Sequence, residues 1–511
     1  MKPWPSESCG SDDQEQLVEA SPVVISKAKS SVLTASWSSA TKGVAVVFLA
    51  LFALVFFTSV RWIDGVPLAL TKSGSAQALE SNSPVTLTCG GNKSTCRAST
   101  TSRPPSPSLD DVASPSPSSC PDYFRWMHED LRPWESAGIT RELVSGARRF
   151  ATFRLVILGG RVYVEKYRPA FQTRDVFTLW GILQLVSRYP GRVPDLDLMF
   201  NCDDTPVVKS AAYSSSPPPL VFRYCKNDET LDIVFPDWTF WGWSEINLKP
   251  WERMTEELKK GNERVKWRKR KPFAYWKGNP WVSDSRRDLI KCNVSKQQDW
   301  NARLFAQNWD SEARGGFKNS DMAAQCDYRY KIYVEGRAWS VSQKYILACN
   351  SPALFVTTHF HDFFSRGLVP GLHYWPIKEH SKCRSIKFAV DWGNKHQKEA
   401  EEMGKAGSRF VQEELKMERV YDYMLHLLIQ YAKLLKYKPS IPEKSTELCS
   451  ESMACPATGV AKKFLMESMV QSTRAAEPCE LPPPFEAAEL RGMLERKADA
   501  IKQVELWEKK G

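Results

Sequence analysis

Two acids, Asp203 and Asp204, follow an apolar run within Phe200-Asn-Cys-Asp-Asp-Thr-Pro206. A carboxylate just past the end of a strand can take the proton of a hydroxyl as a general base, and open α/β sheets place ligands at such strand ends. The other reading is an acid that caps the turn before Pro206. Further along, Phe273-Ala-Tyr-Trp-Lys-Gly-Asn279 ends in a turn, and Arg286-Arg287-Asp288 opens a helical stretch. Gly278 permits close backbone approach, a helix start offers N–H groups to an anion, and arginine forks suit a diphosphate. A surface turn with solvated charges fits the same residues.

Tyr330-Lys-Ile-Tyr-Val-Glu-Gly-Arg-Ala-Trp-Ser-Val-Ser-Gln-Lys344 is a second strand–turn–helix, with Gly336, Arg337, Ser340 and Lys344 as candidate anion donors. Seven tryptophans, Trp238, Trp241, Trp243, Trp251, Trp267, Trp276 and Trp281, fall within 44 residues. Their faces suit sugar C–H surfaces, with Trp238 and Trp241 as the candidate sugar or acceptor groove, and core packing as the competing use. Asp195-Leu-Asp197 is a DxD pattern of the kind that holds a divalent ion, but it opens a strand whose alternation points its acids outward. His359-Phe-His361-Asp362 offers ligand types without a fuller set. No metal and no other cofactor is expected.

These residues need a scaffold. Phe153–Leu158, Gly159-Gly160 and Arg161–Glu165 read as a hairpin across a glycine turn. Leu196–Asn201, Leu220–Arg223 and Leu231–Phe235 read as short strands, and Arg174–Arg188 has helical periodicity. Strands at Tyr328–Val334 and Ala353–Thr357 flank a helix over Ala338–Cys349, and Asp391–Tyr437 is mostly helical. Alternation of this kind predicts an α/β fold with largely parallel sheets.

The net charge of +11 suits an anionic partner, and location decides which. Gly43–Val60 is an 18-residue run without charge, long enough to span a bilayer. Lys27, Lys29 and Lys42 precede it, which predicts a cytosolic tail (1–42), a signal anchor (43–60) and a lumenal remainder. The basic run Lys266–Lys271 is then a solvated face, and nucleic acid drops out as a ligand. Residues 61–119 are a disordered Ser/Thr/Pro-rich stem. Twelve of the 13 cysteines follow the span, as an oxidising compartment favours. Cys89/Cys96 and Cys326/Cys349 are plausible bridges, and Asn92 and Asn293 are glycosylation sequons. With no retrieval tetrapeptide at the C-terminus, a Golgi type II membrane protein is expected ahead of an endoplasmic-reticulum one.

Phe200-Asn-Cys-Asp-Asp-Thr-Pro206, Phe235-Pro-Asp-Trp-Thr-Phe240, Ala274-Tyr-Trp-Lys-Gly-Asn279 with Arg287-Asp288, and Cys326-Asp-Tyr-Arg-Tyr330 through Cys349-Asn-Ser351 together resemble the Rumi-type protein O-glucosyltransferases of glycosyltransferase family 90, nearest their plant branch. The resemblance implies a GT-B-like fold of two Rossmann-like lobes, 120–255 for the acceptor and 256–437 for the nucleotide sugar with closing helices, followed by a tail over 438–511. It implies metal-independent inverting transfer of glucose or xylose from a UDP-sugar to a hydroxyl of a glycoprotein or polysaccharide. By motif, Asp204 is the base, Gly278, Asn279 and Arg287 form the nucleotide-sugar loop, and Cys326 pairs with Cys349. Animal members carry arginines where this chain has Glu335 and Ser342. A lumenal carbohydrate-binding pseudoenzyme is the alternative that this departure raises.

Overall fold

A glycine turn starts the first sheet. Gly159 and Gly160 both have positive φ, +57° and +74°, the twist a two-residue hairpin turn requires. They join β1 (Phe153–Leu158) to β2 (Arg161–Lys166) as the sequence predicts. The structure, a computed structural model, describes Leu87, Cys89, Cys96 and residues 118–473 and 477–510. The expected cytosolic tail, the span at 43–60, most of the stem and Asn92 lie outside these residues. Among the described residues no helix is long and apolar enough to cross a membrane.

Antiparallel to β1 on its other side runs β3 (Leu196–Phe200), followed in parallel by β4 (Phe222–Arg223) and β5 (Ile233–Val234). This sheet is therefore mixed, against the expectation of largely parallel sheets, because a two-residue turn can only make antiparallel neighbours. The second sheet comprises β6 (Lys271–Gly278), β7 (Ala302–Ala306), β8 (Tyr328–Tyr333), β9 (Ala353–Val356) and β10 (Tyr374–Ile377). It is parallel throughout, in the order β7-β6-β8-β9-β10. The chain leaves β6 to one side for β7 and returns on the other side for β8. Such a reversal opens a crevice beyond the carboxyl ends of the two central strands. Two α/β sheets agree with a two-lobed GT-B-like architecture; one apolar cluster runs from the first sheet onto Tyr333, Ala353 and Phe355 of the second, and another covers Ile332, Leu354 and Val356 on its other face.

Helix Met417–Leu434 returns to the first sheet, where Tyr431 donates to the Asp197 carbonyl at 2.7 Å and stands edge-on to Phe222. The tail is structural. β11 (Thr446–Leu448) pairs with β2, and helix Ala487–Lys510 stacks Trp507 on Trp392 of the second lobe. Among the described residues five disulfides form: Cys89–Cys455, Cys96–Cys449, Cys120–Cys479, Cys292–Cys383 and Cys326–Cys349. The suggested Cys89/Cys96 pair is corrected, since each of the two crosses to the tail instead. Spacing along the chain carries no information on such long closures. Cys202 and Cys225 stay free and buried.

Other sequence expectations are overturned by burial. Trp238 and Trp241 are 1% and 0% exposed, so neither indole face is open to a sugar. Trp241 lies so close to helix Arg174–Arg188 that a Cβ on Gly181 would sit 2.4 Å from its ring. Asp197 of the DxD points inward, receiving a two-pronged contact from Arg154 and a hydrogen bond from Tyr437. It completes a buried ion pair and is closed to a metal. Asn293 pairs its amide edge with Leu304, donating from Nδ2 to the carbonyl and accepting the N–H at Oδ1, both at 3.0 Å. A glycan on Nδ2 would displace that pairing, so this sequon is used as a strand partner.

Candidate active site

Asp204 stands beyond the carboxyl end of β3. Arg174, at the start of helix Arg174–Arg188, donates to its Oδ1 at 2.8 Å and to the Cys202 carbonyl at 3.2 Å. The Arg174 side chain is only 7% exposed, against 34% for Asp204. Its guanidinium lies 4.4 Å from the Trp238 ring centroid, a cation–π contact that stiffens it. Trp238, removed from the sugar groove by its burial, thus acts as the plate behind Arg174. Asp204 Oδ2 accepts no hydrogen bond from a described residue, which leaves it open toward solvent. The neighbouring acid is occupied differently, since Asp203 pairs with Arg168 at 2.7 Å with both side chains exposed.

The second corner is the crevice between β6 and β8. Gly278 ends β6, and Asn279 follows, its Oδ1 accepting the Trp281 N–H at 2.9 Å. Ser283 caps the short helix Asp284–Ile290, and its hydroxyl reaches the Glu335 carbonyl at 3.2 Å. Arg286 then crosses to the turn after β8. It donates to the carbonyls of Glu335 (3.0 Å), Val334 (3.2 Å) and Asn279 (3.3 Å) and to Ser340 Oγ (3.0 Å). No carboxylate among the described residues pairs with it. Burial pulls its pKa down to about 10, opposed by the charges of Tyr333 and of Asp204. An arginine stays charged at that value, so a part-buried cation sits here among neutral oxygens. The influence of Asp204 also places the two corners within electrostatic reach.

Aromatic packing joins them. Trp339, on the turn after Gly336, touches Tyr224 at 5.7 Å and Trp238 at 6.2 Å between centroids. The plate behind Arg174 therefore rests on the turn that Arg286 holds. Gly336 closes that turn by donating to Ala338 at 2.9 Å, with Arg337 exposed at its tip. Ser340 shares its hydroxyl with Arg286 and with Ser342 at 2.9 Å.

The structure redistributes the predicted donors. Arg287 is 48% exposed and pairs with Asp284 of its own helix; Arg286 is the member of the pair that faces the crevice. The i,i+3 spacing of Asp284 and Arg287 is a signal in the sequence that Arg287 has a partner. Lys344 points away from the turn into the interface, where it is 1% exposed and binds Asp237 at 3.1 Å and Thr239 Oγ1 at 2.7 Å. It ties the lobes together and has no free face for an anion. Glu335 presents its backbone carbonyl to Arg286 and turns its carboxylate to the N–H groups of His359 and Phe360; burial raises its pKa. Arg174 had no signal in the sequence, because its role comes from a helix start brought to β3 by folding.

A strand-end acid with an open oxygen and a part-buried cation that lacks an acid could together serve transfer onto a hydroxyl from an anionic leaving group. Comparison with known proteins gives the family. The profile of Glycosyl transferase family 90 matches residues 115–508. The chain is 28% identical to the O-glucosyltransferase rumi of Drosophila melanogaster over 339 residues, covering 63% of this chain and 80% of that protein. It is 26% identical to protein O-glucosyltransferase 1 of Homo sapiens over 347 residues, 65% and 84% of the two chains. To the bovine protein O-glucosyltransferase 1 it is 27% identical over 335 residues, 62% and 81%.

Proposed function

This chain belongs to Glycosyl transferase family 90, and we propose that it moves glucose from UDP-glucose to a hydroxyl of a polypeptide, with inversion at the anomeric carbon. The reading rests above all on Arg286, a part-buried guanidinium held by carbonyls at the strand crossover. A cation with no carboxylate partner is costly to enclose, and a diphosphate supplies the missing negative charge to the one N–H that the protein oxygens leave free. The names of the relatives support the sugar and the protein acceptor.

In this mechanism the acceptor hydroxyl enters on the first-lobe side with its proton toward Asp204 Oδ2. The hydroxyl oxygen attacks C1 of the sugar as the bond from C1 to the UDP oxygen breaks. The proton passes to Asp204, and the electron pair leaves with UDP. Arg174 holds the carboxylate in place through Oδ1, which fixes the near-attack geometry. Charge growing on the leaving phosphate is met by Arg286, with Ser340 Oγ, the Gly336 turn and the backbone near Gly278 alongside. Arg286 thereby fills the role that the resemblance gives to arginines at the positions of Glu335 and Ser342. With cationic charge supplied by the chain, transfer proceeds without a metal, and EDTA leaves the rate unchanged. The enzyme works as a Golgi type II membrane protein, anchored by residues 43–60.

UDP release by the purified chain across UDP-glucose, UDP-xylose and other nucleotide sugars tests this. Turnover with UDP-glucose supports it, turnover with UDP-xylose alone overturns the sugar, and none with any donor leaves the fold as a binding protein.

A further inference from the structure

A cleft of about 660 Å³ opens on the first lobe beside Arg148, Arg149, Lys166 and Lys444. Two of its cations rest on aromatic rings. The Arg148 guanidinium lies 4.5 Å from the Tyr167 ring centroid, and that of Arg149 lies 4.7 Å from Phe150 while donating to Tyr213 Oη at 3.0 Å. Lys166 pairs with Asp175 at 2.7 Å. Arg148, Arg149 and Lys444 pair with no carboxylate among the described residues. Glu165, which also lines the cleft, accepts a hydrogen bond from Tyr167 at 3.1 Å. Guanidiniums stacked on rings keep their N–H edges free for a carboxylate.

The topology puts this cleft at the working edge of the lobe. Phe153 at the start of β1 pairs with Lys166 at the end of β2 and with Phe200 at the end of β3. The segment entering β1, the segment leaving β2 and the Asp203–Asp204 turn therefore share one end of the sheet. Arg168 links them directly, donating to the Phe150 carbonyl at 3.0 Å and to Asp203 at 2.7 Å. An anion bound here lies on the side of Asp204, away from the crevice that holds Arg286.

We propose that this cleft is an acceptor subsite that seats an acidic side chain of the polypeptide acceptor, set apart from the hydroxyl that receives the sugar. This rests on the transferase reading, in which the donor occupies the second lobe and the acceptor the first. Acidic segments then bind in a salt-dependent way, because much of their attraction is between exposed charges.

The test uses the full chain and a fluorescein-labelled serine peptide carrying four glutamates, against the same peptide with four glutamines. Wild type binds the glutamate peptide about tenfold or more tightly than its counterpart at low salt, a difference that shrinks as salt screens the contact. Arg148→Glu/Lys444→Glu abolishes the preference and leaves the melting temperature unchanged. Lys259→Glu/Lys260→Glu, an equal charge change on exposed positions of helix Trp251–Arg264, keeps it. Equal loss in both variants means general charge attraction and overturns the subsite. Preference for oligogalacturonate over the glutamate peptide in the same cleft overturns the polypeptide class. UDP release across the same panel of nucleotide sugars is read in parallel. Its absence in wild type sinks the transferase reading, whereas turnover with no glutamate preference sinks the subsite alone.

Discussion

At the end of β3, Asp204 is one-third exposed and held by Arg174; at the ends of β6 and β8, Arg286 is part-buried and held by carbonyl oxygens. The first corner pairs its charges before any ligand arrives and leaves one carboxylate oxygen open. The second leaves a cation uncompensated and only partly open to water. These arrangements suit different tasks. A base must exchange protons and stay wet enough to release them, whereas a stabiliser of leaving-group charge works best preorganised where the dielectric is low. Adjacent arginines divide in the same way, with Arg287 paired and exposed and Arg286 part-buried without an acid.

Asp204→Asn attacks the first corner alone and carries the largest expected effect. The amide keeps its shape and cannot take the proton, so transfer falls by about 10²–10⁴. UDP affinity, measured calorimetrically, stays within about twofold, because the variant removes nothing from the second corner. Equal loss of UDP binding would merge the two corners into one binding site and end the division.

The tie between them comes next. Lys344→Met leaves Asp237 buried without its cation, and breaking such a pair costs about 3–5 kcal/mol of stability. A lower melting temperature is expected, with partial recovery in Lys344→Met/Asp237→Asn. If instead the single variant melts as wild type and loses UDP affinity, Lys344 belongs to the donor site after all.

Arg286→Ala tests the second corner. Loss of one preorganised donor to the leaving group lowers the rate by about 10²–10³, and UDP affinity falls with it. Arg286→Lys recovers little, since an ammonium cannot span three carbonyls and a phosphate as a planar fork does. Arg287→Ala, removing only an exposed pair, changes either quantity by less than about twofold. The reverse ranking of Arg286 and Arg287 would restore the assignment made by motif.

The sequence carried much of the first level of this structure. The glycine hairpin, the strand before Asp204 and the Gly278 and Gly336 corners are local patterns, and each falls where its pattern puts it. Longer-range facts escaped. Trp238 and Trp241 have the composition of a sugar groove, yet their neighbours Gly181, Arg174 and Trp339 arrive from distant segments and bury them. Cys89 and Cys96 each find partners more than 350 residues away. Alternation alone points Asp197 outward, whereas Tyr431 and Tyr437 come from a distant helix and its end to cover that part of the first sheet.

The smallest effect concerns pH, and it lies where the lobes meet. Asp362 is fully buried near Asp237 and Lys344, and burial pushes its pKa up to about 6 although Ser365 and Phe364 donate N–H groups to it. The fold therefore favours the protonated acid. Below about pH 4 both folded and unfolded chains hold the proton and nothing is lost; between about 4 and 6 the cost of keeping it grows; above 6 it levels at about 3 kcal/mol. His373 runs the other way, since burial lowers its pKa to about 4 and favours the neutral ring. Its contribution is lost as pH falls from about 6.5 to 4, so the two trends offset one another in wild type. Asp362→Asn keeps an oxygen for the two N–H groups and removes only one side of this balance. Its melting temperature relative to wild type should climb from pH 4 to 6 and hold steady above. A difference independent of pH would mean that Asp362 ionises as an ordinary acid, and that the lobe interface is wetter than the second corner it adjoins.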